Sequence, residues 1–309
     1  DAKWLAKKKR GYVEPLYSSR EATGVMRQFV TVPYTRKTGI ARGIDLTFRE
    51  AGHILGSAIT LLDIEEKSAR SKFLYSGDLG RKNHPMTNDP DLPPEADFVL
   101  MESTYGDRQQ ESFEYTEARM ADIVNRTVKR GGKVIIPSFA LERAQEVIYV
   151  LKLLEADNAI PHLPVFVDSP MAVNLTEIFR LHMDAFDDEF ADLMAEEGDP
   201  FSLQDIRYVR EVERSIAINE FRGPCIIIAA SGMCENGRIL HHLRNNCSDE
   251  RNTILIVGYQ ASNTLGRRIV EKQPKIRILG DEYDLKAEVE VVSSFSCHAG
   301  NDELLEFAE

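Results

Sequence analysis

Three short stretches of this chain put a metal-binding side chain at the end of an apolar, strand-like run and beside small residues. They are Gly52-His53-Ile54-Leu55-Gly56-Ser57-Ala58, Ser76-Gly77-Asp78 and Ser294-Phe295-Ser296-Cys297-His298-Ala299-Gly300. A strand end fixes such a side chain, and the loop beyond it leaves room for a substrate. Two imidazoles and a carboxylate are donors that suit zinc or a similar divalent ion. Each also has a plainer reading: a histidine beside an apolar stretch is commonly structural, and a Gly-Asp after a strand is a common turn.

Further candidates sit at other strand ends. Glu102 closes the apolar run Phe98-Val99-Leu100-Met101, and an ionised carboxylate there needs a partner or a role. Ser231-Gly232-Met233 follows one strand pattern and precedes a helix pattern. Small residues there let backbone N–H groups approach a phosphate. Ser138 and Ser169 occupy equivalent positions, so with Ser231 and Gly232 they suggest a track for a nucleic-acid backbone. His241 and His242 lie in a helical stretch, where adjacent side chains diverge by roughly 100° and cannot easily share one ion; they read as packing residues or as supports behind a site.

The elements that must carry these residues fall into two patterns. Residues 1–20 read as a helix end and a connector. Residues 45–49, 59–64 and 72–76 read as short strands of a β-rich layer, and 98–101 as a strand buried on both faces. From Glu114 a helical period runs to Arg130 and stops at Gly131-Gly132. Strands at 133–136, 165–167, 225–229 and 253–257 are then followed by helices over roughly 140–154, 171–182, 236–245 and 263–271. Such alternation implies a parallel sheet with helices on both faces. The acidic section 184–222 reads as helical and as a cap over a cleft. From Lys275 short strands return and deliver His298. The fold class is therefore α/β, with one domain inserted into another.

Composition narrows the classes of function. With 309 residues, 43% hydrophobic and 28% charged, the chain has the make-up of a soluble two-domain protein. No apolar run approaches the roughly 18 residues that span a bilayer. Four cysteines without CxxC spacing suggest no disulfide framework, so a cytoplasmic location is expected. A net charge of -12 disfavours broad non-specific nucleic-acid binding, yet a local basic cleft can act within an acidic protein. Lys7-Lys8-Lys9-Arg10 is the only dense basic run: a solvated helix end, or else an RNA contact or a targeting signal.

The motifs resemble, in family order, those of the metallo-β-lactamase-fold nucleases that carry a β-CASP domain, the RNA-processing relatives of ribonuclease J and of the cleavage and polyadenylation nuclease. The stretches that carry the resemblance are those around His53, Asp78 and His298, Met101-Glu102-Ser103-Thr104-Tyr105-Gly106, Pro137-Ser138-Phe139-Ala140-Leu141-Glu142-Arg143-Ala144-Gln145, and Ser231-Gly232-Met233. The resemblance implies a partial metallo-β-lactamase αββα layer over 1–106 and 266–309, with a Rossmann-like parallel-sheet β-CASP domain inserted over 107–265. It implies two Zn2+ per complete site, with His53 on the first, His298 on the second and Asp78 bridging both, and Glu102 supporting a site histidine. The expected partner is single-stranded RNA, with a homodimer as an option. The expected reaction is hydrolysis of its phosphodiester bonds by zinc-activated water.

Two departures matter. The family's His-x-His-x-Asp-His motif, four further ligands, is nowhere in the sequence, whose seven histidines are 53, 84, 162, 182, 241, 242 and 298. The chain therefore reads as a fragment of a longer protein, inactive without those ligands. Where many relatives place a histidine in a Thr-Leu-x-x-His pattern, this chain has Thr264-Leu265-Gly266-Arg267-Arg268. Arg268 cannot serve as a general acid at neutral pH, but it can grip a phosphate. The competing readings are a non-catalytic RNA-binding or scaffold protein and a DNA nuclease of the same superfamily.

Overall fold

The computed structural model describes residues 15–67, 69–187, 190 and 198–309, so the basic run at 7–10 lies outside the described residues. After the short helix α1 (Ser19–Val25) the chain forms a five-stranded sheet in sequence order. Its strands are β1 (Thr38–Ala41), β2 (Ile44–Glu50), β3 (Ala58–Glu66), β4 (Ala69–Tyr75) and β5 (Phe98–Leu100). The first four pair antiparallel and β5 pairs parallel with β4. Strand β5 corrects one expectation. It is an edge strand, and Phe98, Val99 and Leu100 are 61%, 52% and 56% exposed. Among the described residues no strand pairs with its other side, so its apolar run is not the mark of burial on both faces.

The chain then builds the strand–helix alternation. Helix α2 (Phe113–Lys129) precedes β6 (Val134–Pro137), α3 (Arg143–Ala156), β7 (Val165–Val167), α4 (Pro170–Leu181) and β8 (Ile206–Tyr208). Helix α5 (Val212–Glu220), β9 (Ile226–Ala229), α6 (Ile239–Asn246), β10 (Thr253–Ile256) and α7 (Leu265–Val270) follow. A hairpin of β11 (Lys275–Ile278) and β12 (Asp281–Asp284) leads to β13 (Glu288–Val291), and α8 (Asn301–Ala308) comes last. The second sheet is wholly parallel, in the order β13-β10-β6-β9-β7-β8. Its strands alternate strictly. Val134, Ile136, Val165, Val167, Ile226, Ile228 and Leu255 join one core with α2, α3 and α4. Ile135, Ile254 and Ile256 turn the other way, onto α6 and α7. Both faces are therefore covered, as the near-continuous apolar strands require.

Two more expectations change. Strand β13 belongs to the parallel sheet, and α7, β11 and β12 pack into its second core, so the return to the first layer begins after Val291 rather than at 266. None of the described residues of segment 184–222 lines the cleft: Phe186, Phe190, Phe201 and Leu203 are buried in the main core, where rings stack edge to face on Tyr149 and Phe179. No helix among the described residues is long and apolar enough to cross a membrane.

Candidate metal centre

Three loops meet between the two sheets. One leaves β2 and carries His53; one leaves β4 and carries Asp78; one follows β13 and carries His298 before α8. The first is closed on itself by Ser57, whose Oγ accepts from the backbone N–H of His53 (3.1 Å) and Ile54 (3.2 Å). Backbone bonds then join the loops: Gly80 N–H to Ala51 O (2.7 Å), Ala299 N–H to Leu79 O (2.8 Å) and Arg81 N–H to Cys297 O (3.0 Å). Gly80 makes this possible, since a Cβ there would fall 1.9 Å from the carbonyl oxygen of Gly52. The glycine lets the two backbones touch.

The side chains these loops carry converge. His53 Nε2 lies 3.9 Å from Asp78 Oδ2, and the rings of His53 and His298 are 4.4 Å apart centre to centre. One donor atom from each of the three residues lies within 4.8 Å of the others. Burial and the neighbouring His298 both lower the pKa of His53, favouring the neutral imidazole a cation needs. His298 is fixed from behind. Its Nδ1 is 3.1 and 3.2 Å from the two oxygens of Glu102, which leaves Nε2 free. Glu102 also accepts from Leu79 N–H (2.5 Å) and Thr104 N–H (3.2 Å). Burial would raise its pKa, but the bonds from His298, Thr104 and Leu79 outweigh it and hold the carboxyl at about 2. The donor set, with one imidazole oriented by a carboxylate, fits a zinc-like ion.

Comparison with known proteins fits this geometry. A model of the Beta-Casp domain matches residues 144–269. The chain is 40% identical over 266 residues to Ribonuclease TTHA0252 of Thermus thermophilus, covering 86% of this chain and 60% of that protein. It is 32% identical over 303 residues to the transcription termination factor FttA of Methanosarcina mazei, covering 95% of this chain and 47% of that protein. The chain belongs to the metallo-β-lactamase-fold β-CASP family. It spans about half the length of the curated relatives it matches. Among these is also cleavage and polyadenylation specificity factor 73 of Drosophila melanogaster, 28% identical over 295 residues, with 94% of this chain and 42% of that protein covered.

Not every residue singled out by the β-CASP motifs reaches the centre. A cleft of about 940 Å³ opens beside His53 and His298 and is lined also by Tyr105, Arg108, Phe139, Arg143 and Tyr259. Arg268 does not line it. Thr264 caps α7, the face bearing Leu265 and Ile269 is buried, and Arg268 instead borders recesses with Asn263, Glu235 and Glu271. Ser138, Ser169, Ser231 and Gly232, expected to form a track, do not line the cleft either, and each hydroxyl is used locally. Ser138 Oγ donates to Phe139 O (2.9 Å), and Ser169 Oγ caps α4 by accepting from Ala172 N–H (3.2 Å). Ser231 Oγ closes a turn onto Glu235 and Asn236. Gly232 also has a packing role: a Cβ there would lie 2.9 Å from two ring carbons of Phe139. His242 is a packing residue as expected, with Nε2 2.7 Å from buried Asp168.

Sequence reasoning missed a buried polar knot beneath the centre. His84 Nε2 is 3.2 Å from Glu146 Oε1, and Cys297 Sγ is 3.9 Å from Glu146 Oε2. Arg143 pairs with Glu146 (3.2 Å) and bonds the backbone of Val257. Glu142 Oε2 accepts from Leu55 N–H (3.2 Å), while its buried Oε1 has no hydrogen-bond partner. Burial pushes the Glu142 carboxyl up to about 7. The knot ties α3 of the parallel sheet to the His53 and His298 loops. Its only signal in the sequence was the run Glu142-Arg143-Ala144-Gln145, to which no role attached.

Proposed function

We propose that this chain forms part of a zinc-dependent ribonuclease. The observation that carries the reading is the convergence of His53, Asp78 and His298 at one end of a cleft between two sheets. The names of the relatives point the same way, since they include a ribonuclease, an endoribonuclease and a cleavage factor. His53 and His298 would hold zinc through imidazole nitrogens, and Asp78, whose side chain is 62% exposed at the mouth, through its carboxylate. Zinc held there would supply positive charge and lower the pKa of water towards neutrality. The chain's own residues do the positioning: Glu102 holds the His298 ring with Nδ1 turned away from the centre, and Arg108, whose guanidinium is bonded to both oxygens of Asp107, would reach a phosphate beside the cleft by giving up that pair. Single-stranded RNA is the substrate this cleft is proposed to take.

A second reading, RNA binding without turnover, is favoured by one observation: the group assembled among the described residues has three donors, where two zinc ions need more. Zinc per chain, measured by elemental analysis on the purified protein, separates the two. About two zincs per chain, lost in His298→Ala together with RNA cleavage, supports the nuclease. No zinc, with RNA affinity and no turnover, supports the binding protein. Cleavage that survives both chelator and His298→Ala overturns the zinc mechanism.

A further inference from the structure

Two aromatic rings in the cleft have no role in the metal centre. Phe139 follows β6 and Tyr259 follows β10, and these strands are neighbours, so both residues emerge at the same end of the parallel sheet. The strands beneath them are fully buried, yet Phe139 is 45% and Tyr259 56% exposed. Both face the cleft shared with His53 and His298.

Neither ring is loosely held. The backbone of Gly232 lies flush against Phe139, so close that a Cβ would sit 2.9 Å from two ring carbons. The side-chain amide of Gln260 donates to the carbonyls of Gly232 and Gly258, 3.0 Å each, which pins both shoulders of the pair. Cations stand around them. Arg267 lies 5.8 Å from the Tyr259 ring centre, and Arg108, paired with Asp107, lies 5.1 Å from that of Tyr105 on the same cleft. Large apolar rings exposed in a concave site lose hydration free energy unless a ligand covers them. Flat rings with guanidinium groups beside them match a ligand that has π faces and phosphates together.

We infer that Phe139 and Tyr259 form a stacking platform for unpaired nucleobases of single-stranded RNA beside the metal centre. The inference rests on the RNA reading above and adds a physical basis for preferring single strands: a duplex keeps its base faces covered, whereas a single strand can turn them onto aromatic side chains. It also gives Gly232 its purpose, which is to leave room for the Phe139 ring.

The test is binding without turnover. Fluorescence anisotropy is read with the 309-residue chain in chelator, using labelled single-stranded oligoadenylate and the same backbone with its bases removed. Phe139→Leu and Tyr259→Leu are each expected to weaken oligoadenylate binding roughly tenfold, while binding of the abasic probe stays unchanged. Tyr259→Phe, which keeps the π face, is expected to bind like wild type. Gly232→Ala, which displaces the ring without removing it, is expected to behave like Phe139→Leu. Circular dichroism melts identify any variant that fails to fold. If wild type binds oligoadenylate but the leucine variants bind it equally well, the platform is overturned and the RNA reading stands. If wild type binds the abasic probe as tightly as oligoadenylate, the platform is likewise overturned. If wild type binds neither probe, the RNA reading falls and the platform with it.

Discussion

Glu102 satisfies two demands with one carboxylate: it orients the His298 ring and accepts the Leu79 N–H at the turn that carries Asp78. Its removal therefore loosens two of the three donors together. Glu102→Ala is expected to lower zinc affinity about 10- to 100-fold, checked by competition with a chromophoric chelator; unchanged affinity would show that the ring is held some other way. Glu142 carries a different consequence. It faces His84 and Glu146, Arg143 on its own helix, and Cys297 from the His298 loop, and it holds a raised pKa of about 7. The folded state thus keeps this proton while the unfolded chain releases it near 4.5. Folding stability from this group is complete below the lower value, falls as pH rises between the two, and levels off above the upper one. The ceiling is on the order of 3 kcal/mol. Glu142→Gln is expected to flatten that fall, read from urea unfolding across the same pH range. His53, Asp78 and Glu102 were legible because each lies just past a strand end and beside small residues; His298 lies farther beyond β13, after the turn Ser293–Phe295, and only the small residues around it gave a signal. Arg268 was misread because helical phase, not chain position, decides which way a side chain turns, and α7 is phased by burial of Leu265 and Ile269.

At the scale of elements, a second buried network ties the end of β7 to α5 and α6. Asp168, just past β7, accepts from Ser215 Oγ of α5 (2.5 Å) and Arg238 Nη1 (2.6 Å), and lies 2.7 Å from His242 Nε2 of α6. Its pKa falls because these partners outweigh the burial that opposes them. Asp168→Ala would leave Arg238 and His242 facing a buried void. A loss of about 3–5 kcal/mol is expected, measured by chemical denaturation; a loss under about 1 kcal/mol would mean the network is solvated. The strand–helix alternation was readable because strands covered on both faces are continuously apolar, and three of the helices, α2, α4 and α7, carry side-chain N-caps. Strand β1 was not, since Thr38-Gly39-Ile40-Ala41 is too short to show a period, whereas β11 and β12 fall where short strands were expected from Lys275. The return point at 266 was misplaced for a different reason: β13, Glu-Val-Glu-Val, alternates like a half-exposed strand, yet it completes the parallel sheet because Glu288 and Glu290 are paired with Arg119, Arg126 and Arg130 of α2 or its cap.

For the whole molecule, the uneven ends of the five-stranded sheet matter most. Strand β1 is short and its neighbour β2 carries Asp45 and Arg49, whereas β5 presents Phe98, Val99 and Leu100 on an edge that no strand among the described residues pairs. Exposed apolar edges of this kind template pairing with another chain. A net charge of -12 opposes association at a distance, but it is screened within about 10 Å at 0.1 M salt, which is too weak to protect an edge that pairs at hydrogen-bonding distance. The chain is therefore expected to self-associate through β5, seen as a weight-average mass that rises with concentration in sedimentation, and more steeply with added salt. Val99→Lys, a charge on the same edge, is expected to suppress it without entering the cleft, because none of Phe98, Val99 and Leu100 lines it. A species that stays monomeric at every concentration and salt would refute the edge as an interaction site. A pair that survives Val99→Lys would move the interface elsewhere, and the exposed run of β5 would then need another account.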